Sequence, residues 1–229
     1  ISNPLLWFLQ PTMWDFPRAP PIDHKTWKAW NDGYVVVNQM VGEAIAKAIL
    51  ESPSRAVVML QDYHLYLAPR FIRANLGKRK HHTITHFVHI PWPGPEDWGM
   101  LPPKMRMAIL NGLCAADMVG FQTRDDGLNF LRTCETYLPG SVVRFAKGKV
   151  TYNRHTVHVR DFPISINVEA TREIAGSEEV EEHRRFFEER YEGMRLIVRV
   201  DRTEPSKNIV RGFYAFEELL ELHPEYHGK

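Results

Sequence analysis

Cysteine is scarce: Cys114 and Cys134 are the two in 229 residues. They lack any metal-type spacing, which argues against a zinc ribbon or a disulfide scaffold. The pair reads as two reduced core thiols of a cytoplasmic protein. An excess of charge of one sign is equally lacking, since Lys+Arg 29 against Asp+Glu 28 leaves a formal net charge of +1. That balance supplies no general attraction to nucleic acid or to a membrane, so neither is expected as a partner and any basic site must be local. No apolar run approaches the roughly 20 residues that cross a bilayer, and no signal-peptide pattern opens the chain. There is no Walker loop and no GxGxxG, which removes a P-loop NTPase and a dinucleotide fold with its usual fingerprint. Internal repeats and low-complexity tracts are absent. An initiating Met is missing too. The chain opens at Ile1 and stops at Lys229, just after a helix and where another strand is expected, so it reads as a piece of a longer protein.

What is present is an ordinary globular composition, 44% hydrophobic and 25% charged, long enough to bury a real core. Asp23 is placed to cap a helix running to about residue 50, with Trp27, Trp30, Tyr34, Val37 and Val41 on one face. The run Ala56-Val57-Val58-Met59-Leu60 predicts a strand, followed by helical spacing over 63–75. Residues 83–88 predict the next strand, and Pro102-Pro103 open a helix to about Cys114. A short strand over 117–121 precedes a helix capped by Thr123 and ending near Tyr137. Alternation around Asn153-Arg154-His155 predicts a hairpin, with a further extended segment over 160–166. A highly charged helix over 178–191 reads as a solvated face. Leu196-Ile197-Val198-Arg199-Val200 predicts a strand and Ser206 the start of a helix ending near His223.

Strands alternating with helices, several of them wholly apolar, point to the α/β class: a Rossmann-like parallel sheet with helices on both faces. Ligands of such sheets bind in the crevice beyond the carboxyl ends of the strands. Two strand ends there carry polar groups. Leu60-Gln61-Asp62-Tyr63-His64-Leu65 places a carboxylate after the first strand; its local spacing reads first as a helix cap and second as a group that accepts hydrogen bonds from sugar hydroxyls. His89 with Pro91-Trp92-Pro93 ends the second strand in a stiff corner, either a satisfied core histidine or a wall against a ligand, with Trp92 offering an apolar face and one donor. Further on, Arg202 and Lys207 bracket a strand-to-helix junction, where free N–H groups and the helix dipole favour an anion; Arg grips phosphate as a fork and Lys as a point charge. Trp7 and Trp14 lie in a Pro- and aromatic-rich stretch, read as a loop, where a tryptophan can stack on a sugar or serve the core.

These stretches, in this order, resemble the trehalose-6-phosphate synthase family of glycosyltransferases. Ser2-Asn3-Pro4-Leu5-Leu6-Trp7 matches the family's Ser-Asn-x-x-Leu-Trp, Asp62 to Leu65 its Asp-Tyr-His-Leu, and His89 to Pro93 its His-Ile-Pro-aromatic-Pro. Gly120-Phe121-Gln122-Thr123 matches Gly-Phe-x-Thr, Asp161-Phe162-Pro163-Ile164 stands where the family has Pro-Ile-Gly-Ile, and Val200-Asp201-Arg202 with Ser206-Lys207 matches Asp-Arg-x-x-x-Ser-Lys. Asn208 replaces the usual Gly, Thr203-Glu204-Pro205 the usual Leu-Asp-Tyr, and Asn167 departs from Gly-Ile-Asp. Ile90-Pro91-Trp92-Pro93 and Lys207-Asn208 are closer to a divergent branch that includes the pseudoglycosyltransferase of validoxylamine synthesis.

The resemblance implies the N-terminal half of a two-domain GT-B glycosyltransferase fold. Residues 1–192 would be the acceptor-binding Rossmann-like domain, incomplete at its start, and 193–229 the beginning of the nucleotide-sugar domain. It implies acceptor binding by Trp7 and Asp62, His89 near the transferred sugar, and Arg202 and Lys207 on the donor diphosphate. The implied reaction is retaining transfer of glucose from UDP-, GDP- or ADP-glucose to glucose 6-phosphate, giving trehalose 6-phosphate, with no metal and no separate cofactor. A cyclitol phosphate or glycerol phosphate acceptor, or a catalytically silent regulatory member, are the alternatives. With half a cleft, this piece alone should not turn over. An apolar patch around Leu219 and Leu220 is expected to promote association, which leaves a homo-oligomer open.

Overall fold

The computed structural model describes residues 1–13, 21–77 and 82–229; Trp14 and its neighbours Phe16 and Pro17 lie outside them. The chain divides into two compact units, Ile1–Ile164 and Ser165–Lys229.

In the first unit the N-terminal aromatic stretch is helical rather than a loop: a π-wound turn over Ser2–Leu6 runs into α1 (Trp7–Leu9). Leu5, Leu6 and Leu9 are buried while Trp7 stays half-exposed, a helical spacing that the proline at position 4 obscures in the sequence. Asp23 caps α2 (His24–Lys28) by accepting from the Thr26 N–H at 2.9 Å. The winding then widens over Ala29–Val35 and resumes as α3 (Val36–Glu51). β1 (Ala56–Gln61) leads through a 3₁₀ turn at Tyr63–Leu65 to α4 (Ala68–Leu76). β2 (His82–Val88) ends in the proline corner, after which come α5 (Pro95–Trp98), α6 (Pro103–Leu113), β3 (Met118–Phe121) and α7 (Arg124–Tyr137). β4 (Val142–Arg144), β5 (Lys149–Tyr152) and β6 (His155–Asp161) close the unit.

These make one six-stranded sheet in the order β1-β2-β3-β6-β5-β4. β1, β2, β3 and β6 are parallel, while β5 and β4 add antiparallel at the far edge, so the sheet is mixed rather than wholly parallel. The reason is local: Asn153 and Arg154 both take positive φ, 49° and 62°, which a two-residue hairpin turn of the primed type demands. Ile84 and Val88 of β2, Val119 and Phe121 of β3, and Val157 and Val159 of β6 form the sheet's buried positions, packed on Ile72, Ile109, Leu113 and Phe130. β1 departs from the expected double cover. It is an edge strand, and Val57 and Met59 remain 63% and 70% exposed on its second face.

The second unit holds α8 (Val168–Ala175), α9 (Glu178–Arg190) and α10 (Ile209–Leu222). Asn167 and Ser177 cap the first two, which gives Asn167 a local structural task. On α9, Arg184 bridges Glu181 and Glu188 in solvent, as the charge pattern predicts. The strand expected over 196–200 does not form. Extended β-branched residues become a strand only when their N–H and C=O groups meet a neighbouring ladder, and the sheet of the described residues lies wholly within the first unit. Beside that segment lies an apolar groove of about 600 Å³ lined by Leu196, Ile197, Phe213, Phe216, Leu219 and Leu220. Among the described residues no helix is long and apolar enough to cross a membrane.

Candidate functional site

The carboxyl ends of β1 and β2 are neighbours, with Leu60 opposite His86 and Gln61 opposite Phe87. The parallel register therefore brings the Asp62 and His89 corners together. The Asp62 N–H donates to the Phe87 carbonyl at 2.7 Å, and the His89 N–H donates to Asp62 Oδ1 at 3.3 Å. Helix capping, the first sequence reading of Asp62, is not what its carboxylate does: it makes no cap hydrogen bond to the turn that follows. Instead the residue sits at φ 62° and ψ 179°, a region open essentially to glycine and costing about 1–3 kcal/mol for anything larger. The carboxylate is thus held half-buried at the edge where α/β sheets place their ligands.

His89 is exposed and its Nε2 lies 2.7 Å from Gln61 Oε1. An amide oxygen accepts, so Nε2 carries a proton toward it. Trp7 lies beside this pair through Tyr63, with ring centroids 6.0 Å apart, and Tyr63 in turn stacks on His64 at 4.1 Å. The structure therefore gathers Trp7, Asp62 and His89 around the end of β1.

Trp92 is not at the site. It is 1% exposed, stacks on Trp98 at 4.2 Å and meets Phe130 edge-on at 5.1 Å. Its one donor goes to Thr133 Oγ1 at 3.2 Å. Its main chain is tied to α7 at both ends, the N–H to Asp126 Oδ1 at 2.8 Å and the carbonyl to Asn129 Nδ2 at 3.1 Å. Trp92 thus anchors the proline corner from below and does not face the ligand edge. The Gly120 of Gly-Phe-Gln-Thr has a related role: a Cβ there would lie 2.8 Å from the Phe87 ring, so a larger residue would push that ring and Phe162 aside.

Several residues that brace the site escaped the sequence reading. Asn38, fully buried on α3, donates to the His64 carbonyl at 3.0 Å and accepts from the Leu67 and Ala68 N–H groups at 3.0 Å. Tyr34 donates its hydroxyl to the Tyr63 carbonyl, and Gln10 binds the Tyr66 hydroxyl at 2.9 Å. His86, 1% exposed on β2, reaches the Asp62 carbonyl with Nε2 at 3.0 Å. Burial lowers its pKa to about 4, so it stays neutral. The available signal was its inward alternation with Ile84 and Val88, which marks a histidine facing the core.

Arg202 and Lys207 belong to the second unit. The junction there is a 3₁₀ turn over Pro205–Lys207, then Asn208 at φ 50° and ψ 38°, then α10. That left-handed position explains why Asn can stand where a Gly is usual. Both cations share one carboxylate: Glu204 Oε1 is 3.3 Å from Arg202 Nη2 and 3.5 Å from Lys207 Nζ. The Ser206 hydroxyl at 2.8 Å, with these two charges, holds the Glu204 carboxyl below its usual range. Arg202 and Lys207 thus already converge on a single anionic oxygen.

Comparison with known proteins supplies the context. The α,α-trehalose-phosphate synthase (UDP-forming) of Schizosaccharomyces pombe is 34% identical over 229 residues, which is 100% of this chain and 42% of the relative. A solved trehalose-6-phosphate synthase, studied with bisubstrate glycomimetics of glycosyltransfer with retention, superposes with TM-score 0.77 at 29% identity, covering 100% of this chain and 47% of its own. The N-terminal domain of a trehalose-6-phosphate phosphatase from Candida albicans gives TM-score 0.76 at 28% identity, over 96% of this chain and 44% of its own. The chain thus spans less than half the length of these relatives and corresponds to their N-terminal part. Residues 1–229 match Glycosyltransferase family 20 throughout, and the chain belongs to that family.

Proposed function

We propose that the full-length protein is a retaining glycosyltransferase that moves glucose from a nucleotide-glucose to glucose 6-phosphate, giving trehalose 6-phosphate. The observation that carries this reading is Asp62, held in a glycine-only backbone conformation beside His89 at the sheet's carboxyl edge, in a chain whose relative is UDP-forming. Trp7 and Asp62 serve the acceptor: the carboxylate takes hydroxyl hydrogen bonds and the indole covers an apolar sugar face. His89 lies against the transferred sugar. Arg202 and Lys207 grip the donor diphosphate, whose oxygens replace Glu204 between them. In the reaction the bond from the sugar carbon to the diphosphate breaks, and a bond to the acceptor oxygen forms on the same face. The nucleoside diphosphate leaves with the electron pair, and its leaving oxygen takes up the proton given by the acceptor hydroxyl on that same face. Charge grows on the leaving diphosphate, so cations held in place stabilise the transition state more than the ground state. Both substrates are small molecules, no cofactor beyond the donor is invoked, and the reaction is placed in the cytoplasm.

The test is nucleoside-diphosphate release by the full-length gene product from UDP-, GDP- or ADP-glucose, with and without glucose 6-phosphate. Release that depends on glucose 6-phosphate is expected with one donor, and Arg202→Ala should remove about 10²-fold or more of it. Silence with every donor, or an unchanged Arg202→Ala rate, overturns the assignment. A second reading has one observation in its favour: a phosphatase's N-terminal domain shares this fold. On that reading the chain is a sugar-phosphate-binding member without transfer activity, recognised by glucose 6-phosphate binding with no diphosphate release from any donor.

A further inference from the structure

The conformation of Asp62 persists only where its surroundings over-determine it, and the groups that do so can be named. Its N–H is fixed by the Phe87 carbonyl and its Oδ1 by the His89 N–H. These are main-chain groups at the end of β2, available to any sequence that builds the strand. Its carbonyl receives the Leu65 N–H at a longer 3.3 Å and His86 Nε2 at 3.0 Å. The His86 contact alone depends on the choice of side chain.

That choice carries a penalty. A carbonyl can only accept, so Nε2 bears the proton and Nδ1 keeps a lone pair. The Nδ1 atom is buried and has no partner among the described residues. An apolar ring tilted against Tyr66 in the same way, with centroids 5.4 Å apart, would avoid the desolvation of that nitrogen. What an apolar ring cannot do is donate to Asp62.

We propose that His86 is a positioning residue, whose Nε2–H pins the Asp62 carbonyl and thereby locks the main chain that aims the Asp62 carboxylate at the acceptor. The inference rests on the acceptor role given to Asp62 above; His86 itself touches no substrate. Burial keeps the ring neutral, so the Nε2–H tautomer holds at neutral pH, with His89 as the neighbouring titratable group and Asp62 reached through its carbonyl.

Three measurements test it. In the unmodified chain, ¹⁵N NMR of the His86 ring should show a protonated Nε2 shielded from solvent exchange and a bare Nδ1; an Nδ1–H tautomer overturns the proposal. A stability cycle comes next and assumes nothing about substrate. His86→Phe should lower Tm by about 5 °C, and by less than half as much when combined with Asp62→Gly, which adopts the conformation unaided. Equal losses in both backgrounds overturn the clamp. Finally, in the full-length gene product His86→Phe should cut turnover at subsaturating glucose 6-phosphate by about 10²-fold while donor binding is unchanged. His86→Gln, whose amide N–H reaches toward the same carbonyl, should recover about tenfold. Equal damage to donor and acceptor use without that recovery marks a merely structural role and overturns the proposal. If no protein form releases diphosphate while the NMR and the stability cycle come out as expected, the clamp is upheld and the transferase reading is the one that fails.

Discussion

Residues 1–164 and 165–229 draw on similar apolar residues and arrive at different states. The first unit buries Ile84, Val88, Val119, Phe121 and Trp92 to 1% exposure or less beneath a continuous ladder. The second leaves Val198 at 81% and Val200 at 91% exposed, and none of its residues is fully buried. The sequence of 196–200 is as strand-like as that of β1. The difference is therefore one of partners. Each strand in the first unit has a neighbouring strand to satisfy its main chain, whereas 196–200 has none among the described residues and meets only α10 across a groove. The same contrast separates the candidate groups of the first unit from those of the second. Asp62 is fixed by long-range main-chain bonds into one orientation, while the Arg202 and Lys207 side chains rest on Glu204, a surface contact with little energy of its own.

Amide exchange sets the two units against each other most strongly. Protection across β2 and β3 should exceed that across 196–200 by about 10⁴-fold, the equivalent of the ~5 kcal/mol that marks a stable fold. Comparable protection in both would break the comparison by showing that the second unit has a core of its own. Next in size is a pair of truncations. Trp92→Ala opens a cavity under the proline corner and should cost about 3–5 kcal/mol, read as a lower urea midpoint for the first unit. Phe213→Ala, at a residue 69% exposed, should stay within about 0.5 kcal/mol. A large loss at Phe213 would mean that its groove is filled in solution.

Much of the first unit was legible beforehand because its signals are local. Asp23 and Thr123 cap the helices they were read to cap, and the apolar runs of β1, β2 and β3 stand where they were expected. Asp62 and His89 were legible as neighbours once strand ends were known to share an edge. What was not legible is long-range. Asn38 reaches His64, and Tyr34 reaches Tyr63, across 26 and 29 residues, and no local period announces such bonds. A Pro-Trp-Pro loop does not say whether its indole faces a ligand or the core; the packing of Trp92 with Trp98 and Phe130 decides for the core. The run at 196–200 failed in the opposite sense, with a clear pattern and no partner to realise it.

The pH dependence of the two units should also diverge. An unfolded His86 takes up a proton near pH 6.5, whereas the buried ring does so only at about 4. Between those values the unfolded chain binds more protons, so stability is full above pH 6.5, falls as the pH drops toward 4, and loses nothing further from this group below that. The shift corresponds to about 3 kcal/mol at most. Urea midpoints of the first unit, followed from pH 7 to pH 4, should show the decline, and His86→Phe should flatten it. An unaltered slope in that variant would assign the decline to other groups.

The smallest expected effect sharpens the comparison furthest, because the chemistry is held constant. Val119→Thr and Val198→Thr each replace a methyl with a hydroxyl at nearly equal volume. At Val119, which is fully buried on β3, the hydroxyl must leave water inside a packed sheet, at a cost of about 1–3 kcal/mol. At Val198 the hydroxyl stays in solvent and the change should fall within about 0.5 kcal/mol. Chemical denaturation followed by circular dichroism measures both. Equal costs at the two positions would show that Val198 is buried in solution against another copy of the chain, which would raise the cost at Val198 with protein concentration. A cost confined to Val119 would locate the difference between the units in the ladder and its cover, since the residues themselves are the same.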